Sequence, residues 1–310
     1  MFERILVPLD GSPRAELILP QLARLLRRED SEVLLLRAFH VPQGDAWMDL
    51  PRQNLALERE AAQKYVHDLA KRMAGQGAKV HGRVVEGLPA SSILECADQE
   101  GATLIAMSTH GRSGLSRWVM GSVAEKVVRA SRVPMLLVRS FRPTPKGDLE
   151  PVPAAETPFR KILVPTDGSP TAMAAVTPAE KFAQLYGSEV VVLHVRIPYV
   201  PPGAVLPGME AGAPIVEPPP PPPEKDEATA AMAKRFEHAG LKVTRVSVLG
   251  DPATEIVDHG FASGVDLIAL ATHGRSGLSR WMLGSVAERV LRHASVPLLI
   301  VRAEEGKKGR

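Results

Sequence analysis

Two short segments carry residue types suited to holding a phosphorylated ligand, and each occurs twice in the chain. The longer one runs from Ser108 to Ser122 and again from Ala271 to Ser285, and it combines spaced glycines with arginines and a Gly-Ser pair. Glycine lets the backbone approach an anion closely. A helix that begins at Gly-Ser would point unpaired N–H groups and a positive dipole end at phosphate. The pattern therefore predicts phosphate binding, while Ser-Val-Ala-Glu at the same place equally fits a capping box whose serine needs no ligand.

The shorter segment places an aspartate directly after an apolar run. Asp10 and Asp167 each stand before Gly-Ser-Pro. A carboxylate at this position can accept hydrogen bonds from a ribose or from an amine of a base, but Asp-Gly before a helix is also common turn chemistry. His110 and His273 recur beside the glycines, and we expect them to orient the loop rather than to act as general bases.

Patterns for catalysis are sparse. The sequence holds no GxxxxGK[ST] loop, no GxGxxG after a strand and no GxSxG turn. Its nine histidines show no metal-ligand spacing, and Cys96 lies among apolar residues, where a small buried side chain is expected. Whether the protein is an enzyme stays open. We expect weak ATP hydrolysis at most.

The composition argues against several other classes of protein. The chain has 310 residues, enough for two domains, with 45% hydrophobic and 24% charged residues, so wholesale disorder is excluded. It contains no apolar run long enough to span a membrane and no visible secretory leader. A single cysteine fits a reducing, cytoplasmic location. The net charge of +3 is interspersed and aromatics are 4%, so nucleic acid is not an expected partner.

The chain is one unit duplicated. Residues 2–15 (FERILVPLDGSPRA) match residues 159–172 (FRKILVPTDGSPTA) at an offset of 157. Residues 108–139 match residues 271–302 at 22 of 32 positions, at an offset of 163. The six extra residues of the second copy fall between these blocks, so the sequence predicts a tandem repeat with an insertion in copy two.

Sixteen of the 28 prolines lie in residues 141–158 and 198–223, which are not expected inside helices or sheets. We predict a first domain over 1–140, a linker over 141–158, a second domain over 159–303 that contains the insertion 198–223, and a basic tail over 304–310. The insertion ends in six consecutive prolines, an extended surface segment that a partner could also recognise. Because it follows the second strand of copy two, it could cover or block a ligand site there, and we expect the two sites to differ in affinity.

Apolar runs alternate with amphipathic stretches in both copies. The runs predict strands at Ile5–Leu9, Val33–Ala38, Val80–Val85, Leu104–Met107 and Met135–Val138, and at Ile162–Pro165, Val190–Val195, Val243–Val248, Leu267–Ala271 and Leu298–Val301. Helices are expected to open at Ser12-Pro13 and to cover 54–74, 89–100 and 122–131. This indicates an α/β fold of two tandem, five-stranded, parallel, doubly wound domains. Ligands of such sheets bind beyond the carboxyl ends of the strands.

The ILVPxDGSP signature, the THGRSGLSRW–GSVAE block and the closing VPxLLVR strand resemble the universal stress protein family, here as a tandem pair covering both copies. The resemblance implies an adenine nucleotide α hydrolase-like fold with strand order 3-2-1-4-5. It also implies that the two domains pair through their last strands, antiparallel, within one chain; a homodimer and an unknown protein partner are further expectations.

Members of this family that bind ATP are similar in carrying a Gly-x2-Gly-x9-Gly-Ser/Thr loop. Both copies keep that spacing, but the first glycine is replaced by Ser108 and Ala271. Carried over by position, the adenine and ribose end is implied to be lined by Pro8, Asp10, Ala38 and Met107, and by Pro165, Asp167, Val195 and Leu270. The ribose and phosphates are implied to lie on Ser108, Gly111, Gly121, Ser122 and Val123, and on Ala271, Gly274, Gly284, Ser285 and Val286. A Mg²⁺ ion would accompany the phosphates.

Three functions follow as hypotheses. The first is a stress-response regulatory protein that binds ATP or another adenine nucleotide. The second is a scaffold of the same fold that binds no nucleotide, which the replaced first glycine favours. The third is a slow ATPase.

Overall fold

The computed structural model describes residues 2–26, 31–39, 52–74, 79–109, 120–139, 141–143, 149–151, 159–197, 226–272 and 283–303. The predicted positions Gly111, Gly274, His110 and His273, the insertion 198–223 and the tail 304–310 lie outside the described residues. Ten strands form one sheet and two short strands form a separate ladder. The apolar runs build the sheet because nearly every side chain in its central strands is buried on both faces.

The first domain supplies five strands, in the order β3-β2-β1-β4-β5. They are β1 (Arg4–Pro8), β2 (Glu32–Phe39), β3 (Lys79–Glu86), β4 (Leu104–Ser108) and β5 (Met135–Val138). The helices are α1 (Leu19–Leu25), α2 (Arg52–Ala74), α3 (Pro89–Gln99) and α4 (Ser122–Ala130). This is the implied order 3-2-1-4-5, with parallel pairing between neighbours.

The second domain repeats the order as β10-β9-β8-β11-β12. Between the domains, β6 (Phe141–Pro143) pairs with β7 (Leu149–Pro151). The strands of the second domain are β8 (Lys161–Thr166), β9 (Glu189–Arg196), β10 (Val243–Leu249), β11 (Leu267–Thr272) and β12 (Leu298–Arg302). Its helices are α5 (Pro170–Met173), α6 (Val176–Tyr186), α7 (Glu227–His238), α8 (Pro252–Ala262) and α9 (Ser285–His293).

The two domains join through their last strands, as the family resemblance implies. β12 runs antiparallel to β5, with Leu299 opposite Leu136, whereas the other pairs in the large sheet are parallel. Arg139, just after β5, donates from Nη1 to the carbonyl of Ala294 at 3.4 Å, beyond the end of α9. Arg302 donates in the same way to the carbonyl of Ala130 at 3.4 Å, at the end of α4. Each arginine thus satisfies carbonyls that a helix end leaves unpaired in the other domain.

One hydrophobic cluster on the face of the sheet that carries α1, α2, α6 and α7 runs through both domains. Phe182 on α6 lies at its centre. Its ring meets Phe2 of the first domain at a centroid distance of 4.6 Å, and Phe159 at 5.8 Å, both edge to face. The opposite face holds a second cluster, packed beneath α3, α4, α8 and α9.

The expected α-helix at Ser12-Pro13 is wrong in the first domain. A turn and a 3-10 helix (Ala15–Ile18) come first, and α1 begins only at Leu19. Pro20 explains the break, because it has no N–H to donate to the carbonyl of Glu16. The serine caps the first turn in both domains, since Ser12 Oγ accepts from the N–H of Ala15 and Ser169 Oγ from the N–H of Ala172, each at 3.2 Å. Only in the second domain does an α-helix, α5, follow the cap directly.

Two further differences concern the proline-rich segments. The expected linker contains the short β6–β7 ladder, in which Pro143 and Pro151 occupy strand ends, where proline is tolerated. Helix α2 has 23 residues, whereas its counterpart α7 has 12 and begins at Glu227. The run Pro218 to Pro223 precedes α7 in the sequence and lies outside the described residues.

Candidate functional site

A cavity of about 680 Å³ opens at the carboxyl ends of β1, β2 and β4, between α2, α3 and the start of α4. Eight of the nine residues predicted for the first domain line it: Pro8, Asp10, Ala38, Met107, Ser108, Gly121, Ser122 and Val123. The ninth, Gly111, lies outside the described residues. Three separate strand ends and one helix start therefore converge on a single cavity, of a size that small-molecule ligands occupy in proteins.

Asp10 at the end of β1 holds the turn that follows it. Its Oδ1 accepts from the N–H of Ser12 at 2.9 Å and from the hydroxyl of Ser12 at 2.5 Å, across Gly11 at φ 76°. Asp167 accepts from the N–H of Ser169 at 2.9 Å in the same way. The turn interpretation is thus correct for both aspartates, and Asp10 lines the cavity as well. Glycine is favoured between each aspartate and its serine, because Gly11 and Gly168 have φ angles of 76° and 79°, which few other residues adopt.

The start of α4 forms the opposite wall of the cavity. Gly121 is the N-cap residue, because its carbonyl accepts the N–H of Glu125 at 2.9 Å, and its own N–H donates to the carbonyl of Thr109 at 2.8 Å. Ser122 is therefore the first residue inside the helix rather than its cap, and its side chain is exposed. The N–H groups of the first helical turn have no partner within the helix and lie at the cavity.

The capping-box interpretation is consequently wrong in both copies. Glu125 sits one position too far along the helix to reach the cap, and its carboxylate binds Arg129 at 2.9 Å instead. In α9 the cap is Gly284, Ser285 is the first helical residue, and Glu288 binds Arg292 at 2.6 Å. In both helices the glutamate therefore pairs with the arginine four residues later and does not form a reciprocal cap with the serine.

One wall of the cavity was missed in the sequence analysis. Glu58, Ala61, Ala62 and Tyr65 lie on one face of α2 and line the cavity. The Tyr65 hydroxyl donates to Glu16 Oε1 at 2.9 Å, and burial together with this hydrogen bond raises the pKa of the phenol well above its usual range. The helical spacing of these residues was visible in the sequence, but nothing local shows that this face turns towards the strand ends.

The end of β2 was also only partly identified. Ala38 was predicted, and its neighbours Arg37 and Phe39 line the cavity too. Nη1 of Arg37 lies 3.4 Å from the carbonyl of Leu9, and so connects the end of β2 to the end of β1. Arg37 and Phe39 could have been predicted from their place at the carboxyl end of a parallel strand, because ligands of such sheets bind there.

In the second domain the predicted residues occupy the matching edge. They lie at the ends of β8, β9 and β11 and at the start of α9: Pro165, Asp167, Val195, Leu270, Ala271, Gly284, Ser285 and Val286. Gly274 lies outside the described residues. The counterparts of the α2 wall that precede Asp226 lie outside them as well, so the structure describes only part of this edge.

The second domain contains a polar cluster around the buried Asp226 that was not predicted from the sequence. Asp226, 4% exposed, caps α7 by accepting the N–H of Thr229 at 3.2 Å. Its Oδ2 also lies 2.7 Å from His194 Nδ1 and accepts from the Ser247 hydroxyl at 2.7 Å. Burial raises the pKa of Asp226, but the hydrogen bonds from Ser247, His194 and Thr229 outweigh it and lower that pKa below its usual value. Arg245 donates to the carbonyl of Asp226 at 2.9 Å.

Within the described ranges, no group of three or more His, Cys, Asp or Glu side chains could hold a metal ion. Cys96 is buried, and burial raises the pKa of its thiol, as suits the expected hydrophobic role. None of the described helices is both long enough and apolar enough to cross a lipid bilayer.

Comparison with known proteins gives a consistent result. The family model "Universal stress protein family" matches residues 1–139 and again residues 158–302. A universal stress protein of Mycolicibacterium smegmatis is 25% identical over 312 residues, covering 96% of this chain and 96% of its own. One from Methanocaldococcus jannaschii is 36% identical over 147 residues, covering 47% of this chain and 84% of its own.

The solved structures agree on the architecture. A universal stress protein from Archaeoglobus fulgidus superposes with a TM-score of 0.73 at 20% identity, covering 97% of this chain and 99% of its own. At that level of identity the likeness concerns the fold of the tandem pair.

Proposed function

This chain belongs to the universal stress protein family, and we propose that its first domain binds an adenine nucleotide whose occupancy regulates a stress response. The observation that supports the proposal most strongly is the cavity of about 680 Å³ at the ends of β1, β2 and β4. Residues that the family resemblance implied for nucleotide binding line that one cavity, although they come from distant parts of the sequence.

The chemistry of the cavity differs between its two sides. One side carries apolar groups, among them Ala38, Phe39, Ile93 and Met107, which suit the flat face of a base. The other side is the start of α4, where Ser122 and the N–H groups of the first turn suit phosphate oxygens. Asp10 also lines the cavity, and its carboxylate is the group proposed to accept from a ribose or an amine.

Magnesium fits this arrangement only as a companion of the phosphates. The described residues offer no cluster of carboxylates that would hold the ion alone, whereas Mg²⁺ commonly binds through substrate phosphates and few protein ligands. When bound, the ion would neutralise phosphate charge. No hydrolytic step is assigned to the cavity.

The test uses Ala38 and Val195, which occupy equivalent positions at the ends of β2 and β9. Nucleotide-stripped protein is titrated with ATP and Mg²⁺ by calorimetry, together with the variants Ala38→Trp and Val195→Trp. Ala38 is only partly buried, and an indole there would fill the space proposed for the base. We expect Ala38→Trp to weaken ATP binding in the first domain by tenfold or more, a loss of about 1.4 kcal/mol at least.

Val195→Trp serves as the matched change in the second domain. It should leave the first-domain binding event intact and affect only a second event, if the wild type shows one. Circular dichroism and thermal unfolding of each variant establish that it is folded. No ATP binding to the wild type at millimolar ligand would refute the proposal and would favour the scaffold hypothesis.

A further inference from the structure

The ten-stranded sheet ends at β3 on the side of the first domain. Among the described residues β3 pairs with β2 alone, in unbroken parallel register from Lys79 to Glu86, and none of its residues is buried. Edge strands of natural proteins are commonly protected by being very short, by a proline or by a bulge. β3 shows none of these three features, so its outer row of N–H and C=O groups can pair with a further strand.

A groove of about 510 Å³ runs along the same edge, and its lining comes from α2 and β3. The floor of the groove is apolar. Val66 and Ala70 of α2 and Val80 and Val84 of β3 line it and belong to the hydrophobic cluster on that face of the sheet. A strand added beside β3 would point every second side chain towards this face. The groove therefore offers apolar side chains of such a strand a place beside the core.

The matching space in the second domain is occupied by the chain itself. Arg245 stands where the first domain has Gly82, and its guanidinium donates to Thr229 Oγ1 at 3.1 Å and to the carbonyl of Asp226 at 2.9 Å. Its side chain therefore connects β10 to the start of α7. Gly82 has no side chain that could do the same between β3 and α2, and the groove of the first domain stays open.

The other face of β3 carries basic side chains. Lys79, His81 and Arg83 alternate along the strand and therefore project on the side away from α2. Arg83 is already engaged, because its guanidinium binds the carboxylate of Glu100 at the end of α3.

Lys79 is the cation on this face that the chain leaves without a carboxylate. Glu32, opposite Lys79 on β2, binds Arg4 at 3.3 Å and lies 3.2 Å from Nε2 of His81 instead. Within the described ranges, Lys79 forms no ion pair. Its counterpart in the second domain, Lys242, does bind the glutamate at the equivalent position, at 3.1 Å. A strand added beside β3 would therefore meet an unneutralised positive charge on this face.

A second copy of the chain does not fit this edge. Two β3 strands paired antiparallel about a twofold axis would keep their faces in common. The basic side chains of Lys79 and Arg83 from both strands would then crowd onto one face, and like charges close together across strands are destabilising.

From these features we infer that β3 accepts an added strand from a partner protein in which acidic and apolar residues alternate. The apolar residues would fill the groove beside α2, and the acidic residues would lie near Lys79 on the opposite face. Backbone hydrogen bonds to the free edge would join the two strands. This inference goes beyond the proposed function, because it concerns the outer edge of the sheet and not the nucleotide cavity.

The test uses the full chain and fluorescein-labelled peptides of about seven residues, close to the length of β3, with fluorescence anisotropy as the readout. The first peptide alternates Glu and Val, and the second has Lys in place of Glu. In the third, two adjacent central residues of the Glu-Val peptide are replaced by Pro. Successive N–H groups of a strand point to opposite edges, so the prolines interrupt both edges. We expect the first peptide to bind with a Kd below about 1 mM and the other two at least about tenfold more weakly.

Lys79→Glu tests the charge. We expect this reversal to weaken binding of the Glu-Val peptide about threefold or more, as suits an exposed charge pair that turns repulsive. Lys242→Glu is the equivalent change in the second domain and should leave binding unchanged. Both side chains are exposed, so both variants should remain folded, and circular dichroism checks this.

Ala70→Phe tests the groove. Ala70 is only partly buried, and a phenyl ring there would fill the space proposed for the apolar side chains. We expect this variant to weaken binding about tenfold or more. Amide hydrogen exchange of the wild type gives a second readout that needs no variant: the Glu-Val peptide should slow exchange in β3 and leave β10 unchanged.

Slower exchange confined to β3, together with weaker binding by Lys79→Glu and by the proline peptide, supports the inference. An absence of binding at about 1 mM Glu-Val peptide overturns it. Equal binding of the Glu-Val and Lys-Val peptides, or protection of β10 in place of β3, overturns it as well. None of these results depends on whether the first domain binds a nucleotide.

Discussion

At the scale of single residues, the second domain carries a polar cluster that the first domain lacks. His194, Asp226, Arg245 and Ser247 of the second domain form a buried hydrogen-bonded cluster. The first domain carries Arg37, Gln63, Gly82 and Val84 at the matching positions. At Gly82 an added Cβ would meet Val66 of α2 at 2.3 Å. The side chain of Val66 therefore leaves no room for a side chain at Gly82, where the second domain places Arg245.

Asp226 should be the most costly single polar residue to replace in this cluster. We expect Asp226→Asn to lower the free energy of unfolding at pH 7 by about 1–3 kcal/mol, because a buried partner of His194 and Ser247 is left imperfectly bonded. Urea unfolding measures the difference. Asp251→Asn, at the exposed cap of α8, is the control and should cost much less.

The effect of Asp226 should also depend on pH in a defined direction. Its pKa is lowered in the folded state, so its stabilising contribution is complete above its unfolded value, near 4, and declines as the pH falls through the folded value. The difference between wild type and Asp226→Asn should therefore shrink between about pH 5 and pH 3. A difference that stays constant over this interval would contradict a charged Asp226.

At the scale of elements, the glycine caps of α4 and α9 set where the unpaired N–H groups of each helix begin. Gly121 and Gly284 occupy the cap positions, and the following serines lie inside the helices. A shift of the helix start by one residue thus decides the role of the serine. As the N-cap its hydroxyl accepts a backbone N–H of the helix, whereas as the first helical residue its hydroxyl caps nothing.

This placement predicts how serine substitutions act on stability. Ser285→Ala should change the free energy of unfolding by less than about 0.5 kcal/mol, because the hydroxyl caps nothing. Ser169→Ala should cost about 1 kcal/mol, because that hydroxyl accepts the N–H of Ala172 at the start of α5. Thermal unfolding compares the two; a larger loss for Ser285→Ala would restore the capping box.

Much of this element level was predictable from the sequence. The strand runs and the tandem repeat predicted the sheet, and the family resemblance implied eight of the 22 residues that line the first-domain cavity. The α2 wall was not predictable, because Tyr65 meets Glu16 across 49 residues and only the packed fold brings them together. The Asp226 cluster links residues 32 and 21 positions apart, and no spacing rule describes it. The capping box was predicted wrongly because the sequence Gly-Ser-x-x-Glu fits a helix capped by the serine as well as one capped by the preceding glycine.

At the scale of the whole molecule, the domains share both a sheet and a core. The β5–β12 pair makes the ten strands continuous, and Phe182 of the second domain packs directly on Phe2 of the first. Arg139 and Arg302 add reciprocal contacts from each last strand to the helix end of the other domain. These contacts couple the stability of each domain to that of its neighbour.

Phe182→Ala should therefore weaken both domains. We expect a loss of about 3–5 kcal/mol, typical of a buried phenylalanine, and faster amide hydrogen exchange in β1 as well as in β8. Phe236→Ala is the control, since Phe236 is equally buried but lies on α7, away from the first domain. Exchange in β1 that is unaffected by Phe182→Ala would show that the domains are energetically independent.

The antiparallel junction also fixes the direction in which the strands of each domain end. Parallel strands end on one margin of a sheet, and β12 runs opposite to β5, so the edges of the two domains open at opposite margins. With strands of five residues, those margins lie about 17 Å apart. A molecule that contacts one margin therefore meets the carboxyl strand ends of one domain only, and contact with those of the other domain requires the opposite margin.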